Sequence, residues 1–149
     1  MTSDRQARPQ RIEGGLHVDV RGTVTFVNDF HFHGVDRFYT IQAHRPYEPR
    51  GWIGHQREQK WFFAVQGTVL VAVVQPDDWR LPAGNLPVER FVLSADKPGV
   101  LHVPAGYATG SLGLSEGAIL MVFSSGIMQD VKADDYRFPV DTWPILSQE

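Results

Sequence analysis

Short apolar runs separated by glycine and proline are the feature that most limits how this chain can fold. Fourteen glycines and ten prolines interrupt the sequence. The residues between them alternate apolar with polar, or stay apolar for a few positions, as strands do. No helical pattern extends beyond about two turns. The sequence therefore predicts an all-β protein of about eight or nine strands, arranged as a sandwich, a barrel or a double-sheet jelly roll.

The strand signals can be placed along the chain. Residues 16–30 alternate around a turn at Arg21–Gly22, and they predict two strands over 17–20 and 23–28. Further strands are predicted over 37–43, 88–93, 100–103 and 118–124.

The chain is long enough for one domain with a buried core. Residues 1–12 are predicted to form a flexible arm, and residues 13–149 a single domain. The tail is predicted to hold one helical turn and to pack Tyr136, Phe138 and Trp143 across an open end of the sheet.

Composition and charge exclude several classes of protein. A net charge of −3 gives no bulk attraction to nucleic acid or to an anionic membrane. The absence of cysteine excludes disulfides, thiolate metal sites and a cysteine nucleophile. The N-terminus lacks the apolar segment of a secretory signal, and no run is long enough for a membrane helix. We therefore expect a cytoplasmic protein.

The stretch 50–67, RGWIGHQREQKWFFAVQG, carries an unusual mixture of residues. Charged side chains at Arg50, His55, Glu58 and Lys60 stand close to three aromatic residues. A wall of a ligand pocket needs both kinds of side chain. Because a second apolar run, TVLVAVV, follows Gly67 at once, the two runs are predicted to pair as a hairpin.

A metal site is a further possibility at His31 and His33. On an extended chain these two side chains face the same way. No third ligand is evident nearby, and a partly exposed loop is the simpler interpretation.

Several motifs together resemble one family. RFYTIQ, RGWIGHQREQKWF, LHVPAGYATGS and the closing DDYRFPVDTW, spread over residues 18–143, are similar to motifs of cupin-type nucleotide-sugar enzymes. These are the dTDP-4-dehydrorhamnose 3,5-epimerases and the dTDP-4-keto-6-deoxyhexose 3,4-ketoisomerases. The motifs are specific for the fold and only moderately specific for the activity.

The resemblance implies a double-sheet jelly-roll cupin barrel and a homodimer, often with exchanged N-terminal strands. It implies a pocket at one end of the barrel for a sugar linked to a nucleoside diphosphate. The reaction of the family uses no metal and no redox cofactor. A base removes a proton from a carbon next to the ketone, and an acid or a proton relay returns a proton elsewhere.

The resemblance assigns roles to three residues of the central stretch. Arg50 stands at the arginine that helps to bind the substrate, often its diphosphate, and Lys60 at the lysine that stabilises the enolate oxygen. His55 matches the second histidine of the ketoisomerases and is the predicted general base, since imidazole titrates near neutral pH. Alternatives stay open: a rim histidine for His55, an ion pair with Glu58 or a tail aspartate for Arg50, and a solvated strand position for Lys60.

Four positions depart from the family pattern. Ile53 replaces the first histidine, which is the base of the epimerases, and Thr109 replaces a histidine of the epimerases and of metal-binding cupins. Gln42 stands close to the position at which the ketoisomerases carry an active-site tyrosine. Residues 126–128, which match the region of the acid tyrosine in the epimerases, contain no tyrosine. A standard cupin metal centre is therefore not expected, and we predict no cofactor.

The remaining candidates follow from these departures. Tyr39 is predicted as a replacement catalytic acid, with Tyr107 and Tyr136 as alternatives. His102 alternates with its apolar neighbours, so it is expected to point into the barrel as a second base. Glu58 either orients His55 or faces solvent, and we favour solvent. The predicted substrate-binding residues are Arg50, Glu58, His102, Tyr107 and Thr109.

Two main hypotheses result. The first is a metal-independent epimerase or isomerase of a dTDP-type 4-keto-6-deoxy sugar. The second is a cupin of the same ancestry that has lost the chemistry and binds a sugar nucleotide or supports a partner enzyme. A metal-dependent cupin that uses His31 and His33 is a third, weaker hypothesis.

Overall fold

The computed structural model describes residues 7–126 and 131–147. Over these ranges it contains twelve strands and one 3₁₀ turn, Val131–Asp134, so the predicted all-β class is confirmed. None of the helical structure in these ranges has the length and apolar character needed to cross a membrane. The strands are β1 Gln10–Glu13, β2 Gly15–Asp19, β3 Gly22–Phe26, β4 Arg37–Gln42, β5 Arg50–His55, β6 Lys60–Gln66, β7 Thr68–Val74, β8 Glu89–Ser94, β9 Gly99–Val103, β10 Tyr107–Gly113, β11 Ile119–Ser124 and β12 Tyr136–Arg137.

Two five-stranded antiparallel sheets form the body of the protein. The first sheet has the order β1-β9-β6-β11-β4, and the second has the order β12-β5-β10-β7-β8. Alternating side chains from both sheets fill the space between them, because successive residues of a strand point to opposite faces. Buried residues of this interior include Phe62, Val71, Leu101 and Val122.

The outer face of the second sheet carries its own core. Trp52, on β5, packs against Trp143 with ring centroids 5.2 Å apart, and both rings are almost completely buried. The segment 138–145, here called the C-terminal clasp, covers this face. The tail therefore packs on a sheet face. The prediction that it packs across an open end of the sheet is wrong.

The predicted hairpin across Gly67 is wrong. β6 pairs with β9 and β11 in the first sheet, while β7 pairs with β10 and β8 in the second. Gly67 is the single residue between them, and its φ of 70° suits glycine. A hairpin needs a loop of at least about two residues, so the chain here crosses from one sheet to the other.

Other strand predictions agree with the structure within one or two residues at most ends. β2 and β3 lie where two strands were expected around a turn, and they pair with each other; β4, β8, β9 and β11 also lie where strands were expected. β10 was not predicted. β1 begins inside the expected arm, since Gln10–Glu13 pairs with β9, so residues 10–12 belong to the first sheet.

Candidate active site

A cavity opens between the two sheets at the end of the barrel where Arg50 lies. Its outer chamber has a volume of about 200 Å³, and its inner chamber about 40 Å³. Ile41, Arg50 and Ser111 line both chambers, so the two lie next to each other. We call the whole space the barrel cavity. The outer chamber is also lined by Gln42, His44 and Glu48, and the inner chamber by Tyr39, Ile53, Lys60 and Thr109.

Strand alternation brings the inner side chains together. Tyr39 follows the same face of β4 as Ile41, and Lys60 the same face of β6 as Phe62. Thr109 occupies the matching face of β10. The loop at residues 56–59 separates β5 from β6, so the direction of Lys60 does not follow from that of His55. Lys60 points inward, and the alternative of a solvated strand position is wrong.

Lys60 and Tyr39 form the most direct polar contact in the inner chamber. The Lys60 Nζ atom donates a hydrogen bond to the Tyr39 hydroxyl oxygen at 2.6 Å. The Lys60 side chain is only 9% exposed. A buried ammonium needs nearby acceptors or negative charge, and Tyr39 supplies one of them beside the barrel cavity.

Glu58 supplies the negative charge. One carboxylate oxygen lies 3.1 Å from His55 Nε2 and 3.6 Å from Lys60 Nζ, and the other lies 3.5 Å from the guanidinium of Arg37. Its side chain is 4% exposed, so the expectation that Glu58 faces solvent is wrong. We call Arg37, Tyr39, His55, Glu58 and Lys60 the inner cluster.

His55 is buried behind Glu58 and is not among the residues that line the barrel cavity. Its Nδ1 atom is 2.7 Å from the backbone carbonyl of Asp134. A carbonyl only accepts, so Nδ1 carries a hydrogen. Burial lowers the pKa of the His55 imidazole; Lys60 adds to this effect, while Glu58 and Asp134 oppose it.

Asp134 and Arg37 are parts of this site that the sequence did not reveal. The Asp134 carboxylate accepts the backbone N–H groups of Gln56, Arg57 and Glu58 at 2.8–3.0 Å. It thereby holds the loop that carries Glu58. The tail contains several aspartates, and no local pattern distinguishes this one.

Arg50 lies at the mouth of the barrel cavity and is exposed. Within the described ranges its side chain forms no hydrogen bond or ion pair, so the alternative of a structural pair with Glu58 or a tail aspartate has no support. Glu58 is instead occupied by Arg37, His55 and Lys60. An unpaired guanidinium at a cavity mouth is free to meet an anion.

Two other tyrosines lie away from the barrel cavity. Tyr107 faces the interior, but its hydroxyl donates to the carbonyl of Ala7 at 3.0 Å, at another cavity. Tyr136 packs against Trp79 on the outer face of the second sheet. Tyr39 is therefore the candidate tyrosine that reaches the barrel cavity; residues 127–128, where the family's acid tyrosine was sought, lie outside the described residues.

The prediction that His102 points into the barrel is wrong. Leu101 and Val103 occupy the interior positions of β9, and the His102 ring stacks on Trp61 on the outer face, with centroids 4.9 Å apart. Its Nε2 atom contacts Gln59 Oε1 at 2.8 Å, and burial lowers its pKa. Both faces of this strand are packed, so alternation alone could not decide the direction.

The histidine pair at 31 and 33 has no partner for a metal site in the described part of the chain. No group of three or more potential ligands comes together there. Both side chains are exposed on the connection before β4. The described structure therefore gives no support for a metal site at His31 and His33.

Comparison with solved structures identifies the architecture. No family model matches the sequence, and no curated protein matches it significantly. The protein has the fold of the RmlC-like cupins. It superposes with a TM-score of 0.69 on a mutant of the 3,4-ketoisomerase QdtA from Thermoanaerobacterium thermosaccharolyticum in complex with TDP, at 18% identity over 90% of each chain.

Two epimerases give similar values. The rmlC epimerase of Mycobacterium tuberculosis has a TM-score of 0.69 at 20% identity, over 90% of this chain and 73% of that one. NovW, a 4-keto-6-deoxy sugar epimerase of Streptomyces spheroides, has a TM-score of 0.69 at 18% identity, over 87% and 68%. The predicted double-sheet cupin barrel is thus confirmed.

Proposed function

We propose that this protein is an epimerase or isomerase of a nucleotide-linked, dTDP-type 4-keto-6-deoxy sugar, acting by proton transfer next to the ketone. The observation that carries the proposal is the hydrogen bond from Lys60 to Tyr39 at the inner end of the barrel cavity. A cation and an ionisable hydroxyl at one point suit the formation of an enolate. Fold similarity to enzymes of this class supports the proposal.

The chemistry can be followed atom by atom. Tyr39, predicted from the sequence as the acid, is here proposed as the base, because it lines the barrel cavity and His55 does not. Its oxygen, in its deprotonated form, takes a proton from the carbon beside the ketone, and the C–H electron pair becomes part of a C=C bond. The ketone oxygen becomes an enolate oxygen, whose charge the Lys60 ammonium stabilises. Return of a proton to the other face of that carbon gives an epimer; return of a proton to the former ketone carbon, with transfer of the neighbouring hydroxyl's proton to the former ketone oxygen, gives the isomeric ketone. The proposed reaction needs no metal or redox cofactor.

Arg50 completes the proposed substrate site. Its guanidinium stands at the mouth of the barrel cavity, where a diphosphate would reach it while the sugar points toward Lys60. Thr109 lines the inner chamber and offers a hydroxyl to the sugar. His55 remains a predicted catalytic residue. It does not line the barrel cavity; it contacts Glu58, which contacts Lys60, and Lys60 lines the cavity.

The test is hydrogen exchange at the sugar carbons. The protein is incubated with dTDP-4-keto-6-deoxyglucose in heavy water, and C3 and C5 are followed by NMR. We expect exchange in the wild type, a loss of about 10²-fold or more in Tyr39→Phe, and a loss of about 10²–10³-fold in Lys60→Met. Tyr47→Phe and Lys97→Met, the same changes at exposed positions, serve as controls. Wild-type protein that binds the substrate without exchange would contradict the proposal.

A second candidate is a cupin that binds a sugar nucleotide without chemistry. Ile53 lines the inner chamber at the position where the resemblance expects the epimerase base, and His55 is buried behind Glu58. These two observations favour binding alone. Calorimetric titration with the same nucleotide sugar measures binding. Binding without hydrogen exchange at the sugar carbons supports only this second candidate.

We also propose a homodimer. The β2-β3 hairpin pairs with no other strand in the described ranges, and one of its faces exposes Leu16 and Val18 by 41% and 67%. A lone two-stranded hairpin is only marginally stable, so a second copy of the chain is the proposed partner for this surface. Sedimentation equilibrium should show a dimer that Leu16→Ser with Val18→Ser weakens; a monomeric wild type at micromolar concentration would refute it.

A further inference from the structure

We propose that Glu58 is a positioning residue that couples His55 to Lys60 and aims one Lys60 N–H into the barrel cavity. The catalytic consequence rests on the proposed function, whereas the coupling itself concerns the free protein. Glu58 does not line the barrel cavity, so it is not a group that binds substrate directly. It acts through Lys60, which does line that cavity.

The donors of Lys60 lead to this assignment. An ammonium has three N–H groups and no acceptor. One N–H bonds to the Tyr39 oxygen at 2.6 Å, and the carboxylate of Glu58 attracts a second from 3.6 Å. No other described residue pairs with the Lys60 ammonium. With two directions taken by Tyr39 and Glu58, the third N–H is left for an oxygen in the barrel cavity.

The contact between His55 and Glu58 supplies the coupling. Because the Asp134 carbonyl accepts from Nδ1, Nε2 of a neutral His55 is an acceptor, and it lies 3.1 Å from the Glu58 oxygen. Their distance is that of an ion pair, yet neither atom has an aligned hydrogen bond among the described residues. A proton gained by His55 would land on Nε2, beside this carboxylate. The charge that Glu58 presents to Lys60 therefore depends on His55.

The charged groups around His55 are Glu58, Asp134 and Lys60, together with Arg37, which contacts Glu58. Glu58 and Asp134 raise the pKa of the His55 imidazole, Lys60 lowers it, and burial lowers it most. Arg37 is held by Glu58 and by the carbonyl of Gly126 at 3.1 Å. Neutralising Glu58 removes the one carboxylate among the described residues that contacts Arg37, His55 and Lys60 together.

The first measurement uses protein without substrate. The His55 ring is titrated by ¹⁵N NMR in the wild type, in Glu58→Gln and in Lys60→Met. We expect Glu58→Gln to lower the pKa of His55 and Lys60→Met to raise it, whereas Glu13→Gln, an exposed control on β1, leaves it unchanged. An unaltered His55 titration in Glu58→Gln overturns the coupling, and if that variant does not fold, an unaltered titration in Lys60→Met does so.

The second measurement is the rate of hydrogen exchange in the sugar. We expect Glu58→Gln to lower kcat by at least about tenfold with KM changed less than about threefold, because only transition-state positioning is lost. Its pH profile should also shift, and Glu58→Asp should recover part of kcat. Wild-type exchange that Glu58→Gln leaves intact refutes this inference while the proposed function stands. No wild-type exchange, with the NMR coupling present, refutes the proposed function while the coupling stands.

Discussion

The C-terminal clasp packs on the outer face of β5, whereas the inner cluster lies inside the barrel and includes His55 of β5. The two regions differ in how their buried polar atoms find hydrogen-bond partners. In the clasp region the Trp52 indole N–H lies 3.2 Å from the carbonyl of Val140 and 3.1 Å from that of Trp143. The Trp143 indole donates to the carbonyl of Ala83 at 2.8 Å. Each buried indole donor has a neutral partner, and the rings bury a large apolar area.

The inner cluster is charged and incompletely paired. His55 Nε2 and one Glu58 oxygen lie close together without an aligned hydrogen bond. Buried groups in this condition cost stability unless other contacts compensate. The difference indicates that the clasp contributes to stability, while the inner cluster keeps charged groups together at a cost in stability, which the proposed function would explain.

The largest expected effect is on the clasp. Trp143→Ala should lower the free energy of unfolding by about 3–5 kcal/mol, because a fully buried ring is lost and a cavity remains. Urea denaturation measures it. Trp143→Phe, which keeps a ring but loses the N–H bond, should cost less. A loss below about 1 kcal/mol for Trp143→Ala would show that the tail is not part of the core.

A smaller effect is expected where the tail meets the inner cluster. Asp134→Asn should lower the free energy of unfolding by about 1–3 kcal/mol, since one amide oxygen cannot accept the three N–H groups of residues 56–58. Thermal denaturation measures it, with Asp141→Asn on the exposed tail as the control. Equal stability of the two variants would contradict the bonding described here.

The pH dependence separates the two regions further. The folded pKa of His55 lies below its ordinary value of 6.5, so the unfolded chain binds more protons as pH falls below 6.5. Stability should therefore be full above pH 6.5 and decrease below it, by at most about 1.4 kcal/mol per pH unit for one group. His55→Asn, which keeps an N–H for Asp134 but cannot titrate, should flatten this slope. A slope unchanged in His55→Asn would assign it to other groups, among them His102, whose pKa is also lowered.

The smallest effect is expected outside both regions. Arg21 pairs with Asp19 at 2.6 Å on the β2-β3 turn, where its side chain is 85% exposed. Exposed pairs of this kind contribute little, because water screens them. Arg21→Ala should leave the melting temperature indistinguishable from the wild type in scanning calorimetry. A clear decrease would show that the turn is packed in solution.

The sequence predicted the local parts of the fold and missed the connections between them. The β2-β3 hairpin followed from alternation around Arg21–Gly22. The step at Gly67 did not, since two adjacent apolar strands look alike whether they pair with each other or join opposite sheets. Sheet membership depends on β9, β10 and β11, which come later in the chain.

The site was predicted to a similar extent. The resemblance singled out Lys60 and Arg50, and Tyr39 was a predicted catalytic residue; all three line the barrel cavity. The directions of His102 and Glu58 were wrong, because both depend on packing from another element. Arg37 and Asp134 were missed, since charged residues at those positions resemble ordinary surface residues in the sequence.

The all-β class and most strand positions could be predicted from the amino-acid sequence alone, because glycine, proline and alternating side chains act over a few residues. Which charged groups meet became clear only from the folded barrel. The Asp134 carbonyl and the His55 ring are 79 residues apart in the chain, yet they lie 2.7 Å apart in space. Such contacts form when two sheets and a tail close on one another. They depend on the packing of the whole barrel and leave no periodic signal in the sequence.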